Sequence, residues 1–161
     1  MPAPSHHSSG ILACFSLCLF AVALLLPLTH AQNPRNPWTD AQTVQPAALY
    51  KELSDPQTAP TVLFVGFQRL YTAGHIKGSQ FHGMGGNPDG LTQIKSWAAS
   101  LPRSSNLVIY CGCCPMGHCP NIRPAFTVLR DMGFTKLRLL VLPTSFEVDW
   151  ANHGLPYEKG Q

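Results

Sequence analysis

The stretch that most constrains the fold of this chain is residues 107–123, where an apolar run leads into a cysteine-rich loop and then into a helical pattern. Residues 107–110 read Leu-Val-Ile-Tyr, which is typical of a strand buried in a parallel sheet. The loop holds Cys111, Cys113, Cys114 and Cys119, and apolar residues then recur at helical spacing up to residue 132. Because free N–H groups at a helix start stabilise an anion, this order of elements indicates a reactive thiolate.

The N-terminal segment has the pattern of an export signal. Residues 11–28 are almost wholly apolar, and Thr29-His30-Ala31 places small residues where a signal peptidase reads the chain. We therefore predict a secretory signal peptide at residues 1–31, with an uncleaved N-terminal anchor as the alternative, since the run is long enough to span a bilayer. Both interpretations predict a secreted or periplasmic protein, which touches a membrane only if the segment is not cleaved.

The rest of the chain, about 130 residues, is the size of one ordinary domain. All charged side chains lie in this part, which gives it a formal charge of +3 without any cluster of Lys or Arg. This charge pattern argues against a nucleic-acid partner and is compatible with a small anionic substrate.

The hydrophobic pattern predicts an α/β fold with a mainly parallel sheet. Residues 32–45, with two Asn-Pro pairs, are interpreted as an extended leader, and the domain is expected to span 46–161. We predict strands at 61–65, 79–82, 107–110 and 136–142, helices at 46–53, 68–71, 91–101, 121–132 and 146–152, a tight connection at 74–78 and a flexible glycine-rich loop at 83–90. Gly133 is expected to end the fourth helix, and Trp97 and Trp150 are expected in the core.

Four segments, in chain order, resemble the motifs of rhodanese domains. Residues 61–78 give a strand, a short helix with an aromatic residue and Gly-His-Ile-Lys-Gly, and residues 107–111 give an apolar strand, Tyr and Cys. Residues 129–134 are similar to the end of the helix after the family's active-site loop. Residues 146–160, with an aromatic residue, Trp and Gly-Leu-Pro, are similar to its closing segment. The resemblance implies the rhodanese-like fold, in which helices cover both faces of a central sheet, and a structural role for His75.

The same resemblance implies a sulfurtransferase. Cys111 would be the catalytic residue, taking sulfane sulfur from a small anionic donor of the thiosulfate type and passing it, as a persulfide, to a thiol or cyanide. The predicted active-site loop comprises Gly112, Cys113, Cys114, Pro115, Met116, Gly117, His118 and Cys119. Arg123, in the first turn of the helix, is either a substrate-binding residue or a solvated surface side chain. No cofactor is expected for this chemistry.

Two departures from the family bear on subclass and substrate. The family usually has an Asp and an Arg where this chain has Phe64 and Gly66. The loop after Cys111 is also several residues longer than usual, and it carries three additional cysteines.

Those three cysteines leave several interpretations open. One of them can resolve a persulfide or pair with Cys111, or Cys113 or Cys114 can form a local disulfide with Cys119. Alternatively, Cys113, Cys114, His118 and Cys119, with or without Cys111, supply soft ligands for zinc, copper(I) or iron, or the thiols simply pack. The alternative functions are a non-catalytic rhodanese-like module that binds metal or a partner, and a thiol–disulfide redox protein.

Overall fold

The computed structural model describes residues 1–2 and 36–160, and within that part strands and helices mostly alternate along the chain. The strands are β1 (Thr43–Val44), β2 (Thr61–Phe64), β3 (His75–Ile76), β4 (Gln80–Phe81), β5 (Asn106–Tyr110), β6 (Lys136–Leu140) and β7 (Tyr157–Glu158). The α-helices are α1 (Pro46–Leu53), α2 (Gln68–Ala73), α3 (Pro88–Ala99), α4 (Ile122–Asp131) and α5 (Phe146–Asp149). Three short 3-10 turns lie at Asp40–Gln42, Met116–His118 and Ala151–His153.

The predicted parallel sheet is confirmed, with β5 at its centre. The strand order is β1-β6-β5-β2-β4, and all four pairings are parallel. On one side of β5, Ile109 aligns with Leu139, and on the other side Tyr110 aligns with Phe64. Because carboxyl ends of parallel strands meet at one edge, the loop after Tyr110 emerges where sites form in such sheets.

Both faces of the sheet are covered, as expected for strands that read as continuous apolar runs. Along β5, Leu107 and Ile109 face α3 and α4, whereas Val108 and Tyr110 face the side that carries α1, α2 and α5. All four side chains are fully buried. The alternation of side chains along the strand therefore divides the core into two layers, and Cys111 continues the layer of α3 and α4.

Helix α4 has a strong amphipathic pattern, and it ends as its sequence predicts. Ile122, Ala125, Phe126 and Leu129 are buried along one stripe. Gly133 has φ of +90°, and the N–H groups of Gly133 and Phe134 donate to the carbonyls of Arg130 and Leu129. This glycine C-terminal stop confirms the prediction for residue 133.

The predicted boundary at residue 46 lies inside the fold, so the interpretation of residues 36–45 as an extended leader is wrong. Trp38 is only 5% exposed and packs edge-on against Phe126, with 5.5 Å between ring centroids. β1 then pairs with the far edge of β6. Burial of the Trp38 side chain and pairing of the edge strand β1 hold this segment to the domain.

Three local predictions are also corrected. Residues 74–78 are not merely a connection, because β3 pairs antiparallel with β7 in a second small sheet. Helix α3 begins at Pro88, so the predicted loop is shorter, and Asn87 caps the helix by accepting a hydrogen bond from Gly90. Trp97 is half-buried rather than part of the core, whereas Trp150 is fully buried as expected.

The predicted signal peptide or anchor, apart from its first two residues, lies outside the described residues. In the part of the chain that is described, no helix is both long enough and apolar enough to cross a membrane.

Candidate active site

The carboxyl end of β5 opens into a cleft of about 480 Å³. Cys111, Gly112 and Cys113 line one side, and Phe146, at the start of α5, lines another. The closing segment contributes Lys159, and the N–H of Gly160 holds that segment to α2 by donating to the carbonyl of Thr72. The first residues of the cysteine loop thus line this cleft, and nothing in the sequence pattern singled out Lys159.

The loop brings its cysteines into one cluster. The Sγ atoms of Cys111 and Cys113 are 3.1 Å apart, and those of Cys113 and Cys114 are 3.2 Å apart. Cys119 returns from the far end of the loop, so that the Sγ atoms of Cys111, Cys113 and Cys119 all lie within 4.8 Å of one another. Cys111 and Cys119 are buried, and all four described cysteines are free thiols. The local disulfide considered from the sequence is not formed in this state.

The N-terminus of α4 acts on Cys119, whereas the sequence pointed to Cys111 as the thiol that it would stabilise. A hydrogen bond from Cys111 lowers the pKa of Cys119 to about 6; burial opposes this, and the backbone N–H groups of Asn121 and Ile122 reinforce it. The hydrogen bond to Cys119, together with burial, raises the pKa of Cys111. Burial, followed by the hydrogen bond to Cys113, raises the pKa of Cys114 to about 12. Within the cluster the environment therefore favours negative charge on Cys119 and disfavours it on Cys111.

Asn121 is a site residue that the sequence analysis missed. Its side chain is 1% exposed, and its Nδ2 donates to Cys111 Sγ at 3.3 Å and reaches Cys113 Sγ at 4.0 Å. It stands at the N-cap position of α4, where Asn commonly caps the helix, yet it makes no capping hydrogen bond. An Asn at the start of a helix was the available signal in the sequence, but it indicates a cap. In the structure its side-chain amide faces the thiols and does not cap the helix.

The glycine-rich loop before α3 supports Asn121 rather than moving freely. A Cβ built on Gly85 would lie 2.2 Å from the carbonyl oxygen of Asn121, and one on Gly86 would lie 2.4 Å from its Oδ1. The N–H of Gly85 also donates to the carbonyl of Val65 at the end of β2. These contacts need glycine because the backbone itself packs against the residue that holds Cys111.

The two positions that depart from the family pattern lie directly beneath Cys111. A Cβ on Gly66 would lie 2.6 Å from the Phe64 ring and 2.9 Å from Cys111 Sγ. The Phe64 ring packs against Tyr71, Phe81 and Tyr110, with centroid distances of 5.2 to 6.2 Å. An aromatic side chain therefore fills the space that Gly66 leaves, and the pair forms an apolar support for the thiol.

The enlarged loop is tethered at several points along its length. Gly112, with φ of +73°, accepts a hydrogen bond from the N–H of Phe146, and the N–H of Met116 donates to the carbonyl of Leu142. Arg123 Nη2 donates to the carbonyl of Gly117 at 3.0 Å and to Asn36 Oδ1 at 2.9 Å. The contacts described for Arg123 thus hold the loop to the segment before β1.

The other predicted site residues divide into those near the thiols and those turned to solvent. Cys114 joins the thiol cluster through Cys113, whereas Pro115, Gly117 and His118 are exposed. Among the described residues, the converging set of metal-type ligands is Cys111, Cys113 and Cys119, without Cys114 or His118. His75 is buried; its Nδ1 donates to the carbonyl of Tyr71 at 2.7 Å, and its Nε2 faces Glu158 at 3.4 Å, which supports the structural role implied by the resemblance.

Several solved structures are similar to the chain. Over 73% of its length it is similar, at 23% identity, to the solution structure of the rhodanese-like domain of the Alr3790 protein from Anabaena sp., with 79% of that chain covered and a TM-score of 0.54. A crystal structure of the Alr3790 protein is matched at 23% identity over 73% of this chain and 92% of that one, with a TM-score of 0.55. A thiosulfate sulfurtransferase from Pseudomonas aeruginosa is 24% identical over 74% of this chain and 19% of its own, with a TM-score of 0.55. No family model and no curated protein matches the sequence.

Proposed function

We propose that this chain, whose fold is rhodanese-like, is a sulfurtransferase that carries sulfane sulfur on Cys111. The observation that carries the proposal is the position of Cys111, which follows the central strand β5, lines the cleft and receives a hydrogen bond from Asn121. A nucleophile fixed at the carboxyl end of a central parallel strand lies where reactions occur in such sheets. We propose a small anionic donor of the thiosulfate type and a thiol or cyanide as acceptor.

The first step transfers one sulfur atom to the protein. Cys111 releases its proton to solvent as its thiolate forms, and Asn121 Nδ2, which donates to Cys111 Sγ, stabilises the resulting charge. The Cys111 thiolate then attacks the outer sulfur of thiosulfate, a new S–S bond forms, and the bond to sulfite breaks with its electron pair leaving on sulfite. In the second step the acceptor attacks the outer sulfur of the persulfide, and Cys111 leaves as a thiolate.

Two groups are placed to favour the anionic states of this cycle. Asn121 Nδ2 donates to Cys111 Sγ and can hold the negative charge of the thiolate or persulfide. Lys159 lines the cleft and provides a positive charge for an anionic donor. Glu147 also lines the cleft, and its carboxylate disfavours negative charge of the donor close to α5. We assign donor binding to Lys159 rather than to Arg123, because Arg123 is engaged with the loop and Asn36.

The compartment belongs to the proposal as well. The N-terminal apolar segment of the sequence supports export, so we propose that the domain meets its donor outside the cytoplasm.

The test is a sulfur-transfer assay with thiosulfate as donor and cyanide as acceptor, in which thiocyanate is the product. We expect Cys111→Ser to abolish transfer and Cys114→Ser to retain it, because Cys114 does not line the cleft. The proposal fails if Cys111→Ser keeps the wild-type rate. It also fails if the folded domain moves no sulfur from thiosulfate, mercaptopyruvate or polysulfide to either a thiol or cyanide.

A further inference from the structure

We propose that Cys111, Cys113 and Cys119 form a binding site for a soft monovalent metal ion, Cu(I). Their Sγ atoms converge within 4.8 Å of one another although the residues come from both ends of the loop. Cys111 and Cys113 follow β5, and Cys119 precedes α4. The loop is therefore folded back on itself so that three sulfurs meet, which sulfur transfer through Cys111 alone does not require.

The spacing of the sulfurs suits a three-coordinate ion. Metal–thiolate bonds of about 2.3 Å, the length found for zinc, place the sulfurs of a trigonal site about 4 Å apart. Here the sulfurs of Cys111 and Cys113 are 3.1 Å apart, and no pair in the set exceeds 4.8 Å. The spacing of a trigonal site thus lies within the range that these sulfurs already span.

The ligand type and burial favour Cu(I) over the commoner zinc. In the described part of the chain, the ligand atoms that converge here are all sulfur, and soft thiolates select Cu(I). Structural zinc sites are almost always four-coordinate, and the imidazole of the loop, His118, is exposed and outside the set. Cys111 and Cys119 are each 1% exposed, whereas Cys113 is half-buried and lines the cleft, so an ion could enter from that side.

The surroundings offset the negative charge of three thiolates. Asn121 Nδ2 donates a hydrogen bond to Cys111 Sγ at 3.3 Å. The N-terminus of α4 adds the positive end of its dipole. Binding of Cu(I) releases the protons of the thiols that were protonated and oxidises none of the sulfurs, so the step needs no co-reactant.

The metal site shares Cys111 with the proposed sulfur carrier but does not rest on sulfur transfer. A persulfide on Cys111 and a Cu(I) ion on the three thiols exclude each other, because both use the same sulfur. We therefore expect Cu(I) to inhibit sulfur transfer at one equivalent per chain.

The test is anaerobic titration of the reduced protein with Cu(I) in competition with a chromophoric Cu(I) chelator. We expect one tightly held Cu(I) per chain, and a loss of affinity of more than about 100-fold in Cys113→Ser and in Cys119→Ser, since even changes beyond the ligands cost 10–100-fold. Cys114→Ser is the matched control and should hold one Cu(I) with nearly unchanged affinity. The three-thiol assignment is overturned if Cys114→Ser weakens binding as much as Cys119→Ser does.

X-ray absorption at the copper edge of the wild-type protein decides the matter if a serine variant fails to fold. Three sulfur neighbours at about 2.3 Å support the site, whereas two sulfurs, or nitrogen in the shell, contradict it. Failure to retain stoichiometric Cu(I), or tighter retention of Zn²⁺ in a parallel titration, also overturns the proposal. The readout is metal affinity, so a protein that binds Cu(I) but transfers no sulfur refutes the proposed function alone, and the reverse result refutes the metal site alone.

Discussion

Asn121 Nδ2 lies 3.3 Å from Cys111 Sγ, so the residue that precedes α4 contacts the thiol that follows β5 across the whole length of the enlarged loop. Both residues are 1% exposed. This hydrogen bond fixes the thiol at the edge of the cleft and points a positive partial charge at its sulfur. In a buried place, such a donor stabilises a thiolate or persulfide more strongly than it would in water.

We expect Asn121→Asp to slow reactions of Cys111 by about 10- to 100-fold, because a hydrogen bond to a charged group is worth about 1.5–3 kcal/mol and a carboxylate would repel the thiolate. The rate of persulfide formation with thiosulfate measures this effect. Asn87→Asp is a control of the same chemical change at the cap of α3, where the side chain accepts rather than donates. A variant Asn121→Asp that reacts as fast as wild type would show that the contact is only structural.

Gly66→Ala is expected to destabilise the fold by about 1–3 kcal/mol, as overpacking of a core does. The new Cβ would lie 2.6 Å from the buried ring of Phe64 and 2.9 Å from Cys111 Sγ, and the packed aromatic cluster leaves the ring little room to move. Urea unfolding measures the change. Gly117→Ala is the matched control, since its Cβ would meet nothing within 4 Å, and we expect a change within about 0.5 kcal/mol. Equal effects of the two substitutions would refute the close packing under Cys111.

Titration of Cys119 is expected to make stability depend on pH. Its pKa is lowered from an ordinary 9.0 to about 6 in the folded protein, so the unfolded chain binds more protons between these values. The contribution of Cys119 to the free energy of unfolding is therefore fully present above pH 9, and it is lost as the pH falls through about 6. The pKa values of Cys111 and Cys114 are raised in the folded protein. These two thiols therefore lower the stability as the pH rises, but only above the ordinary pKa of a cysteine.

The measurement is the difference in unfolding free energy between wild type and Cys119→Ser at several pH values, with thiolate absorbance followed in parallel. We expect the advantage of wild type to grow from pH 6 to pH 9. A pH-independent difference, with no thiolate titrating near pH 6, would place the anion elsewhere in the cluster.

Trp38→Ala is expected to cost about 3–5 kcal/mol, as removal of a buried aromatic side chain does. Trp38 is 5% exposed and packs on Phe126, although the segment has the sequence of an extended leader. Tyr50→Ala, at a residue 42% exposed, is the control and should lie within about 0.5 kcal/mol of wild type. If both variants unfold at the same denaturant concentration, residues before 46 are dispensable to the domain after all.

Much of the fold was predictable because its signals are local. The strand before Cys111 is a continuous apolar run, and the stripe of Ile122, Ala125, Phe126 and Leu129 has helical period. Gly133 ends α4 by a backbone conformation that glycine adopts readily. These patterns are sufficient to place the cysteine loop between the central strand and a helix.

The rest depends on contacts between residues far apart in the chain. β1 and β3 have only two residues each, and their partners in β6 and β7 lie more than 80 positions away, so no periodicity reveals them. The lowered pKa of Cys119 depends on contacts of its sulfur with Cys111 and with the N–H groups of Asn121 and Ile122. The spacing of cysteines in the sequence does not contain that information.

The central claim is that Cys111 carries sulfur, and the most direct measurement is the intact mass of the reduced protein after reaction with thiosulfate, followed by peptide mapping. We expect a gain of about 32 Da, one sulfur atom, located on Cys111 and removed by cyanide. A chain that gains no sulfur, gains it on another cysteine, or instead loses about 2 Da by forming a disulfide would contradict the account.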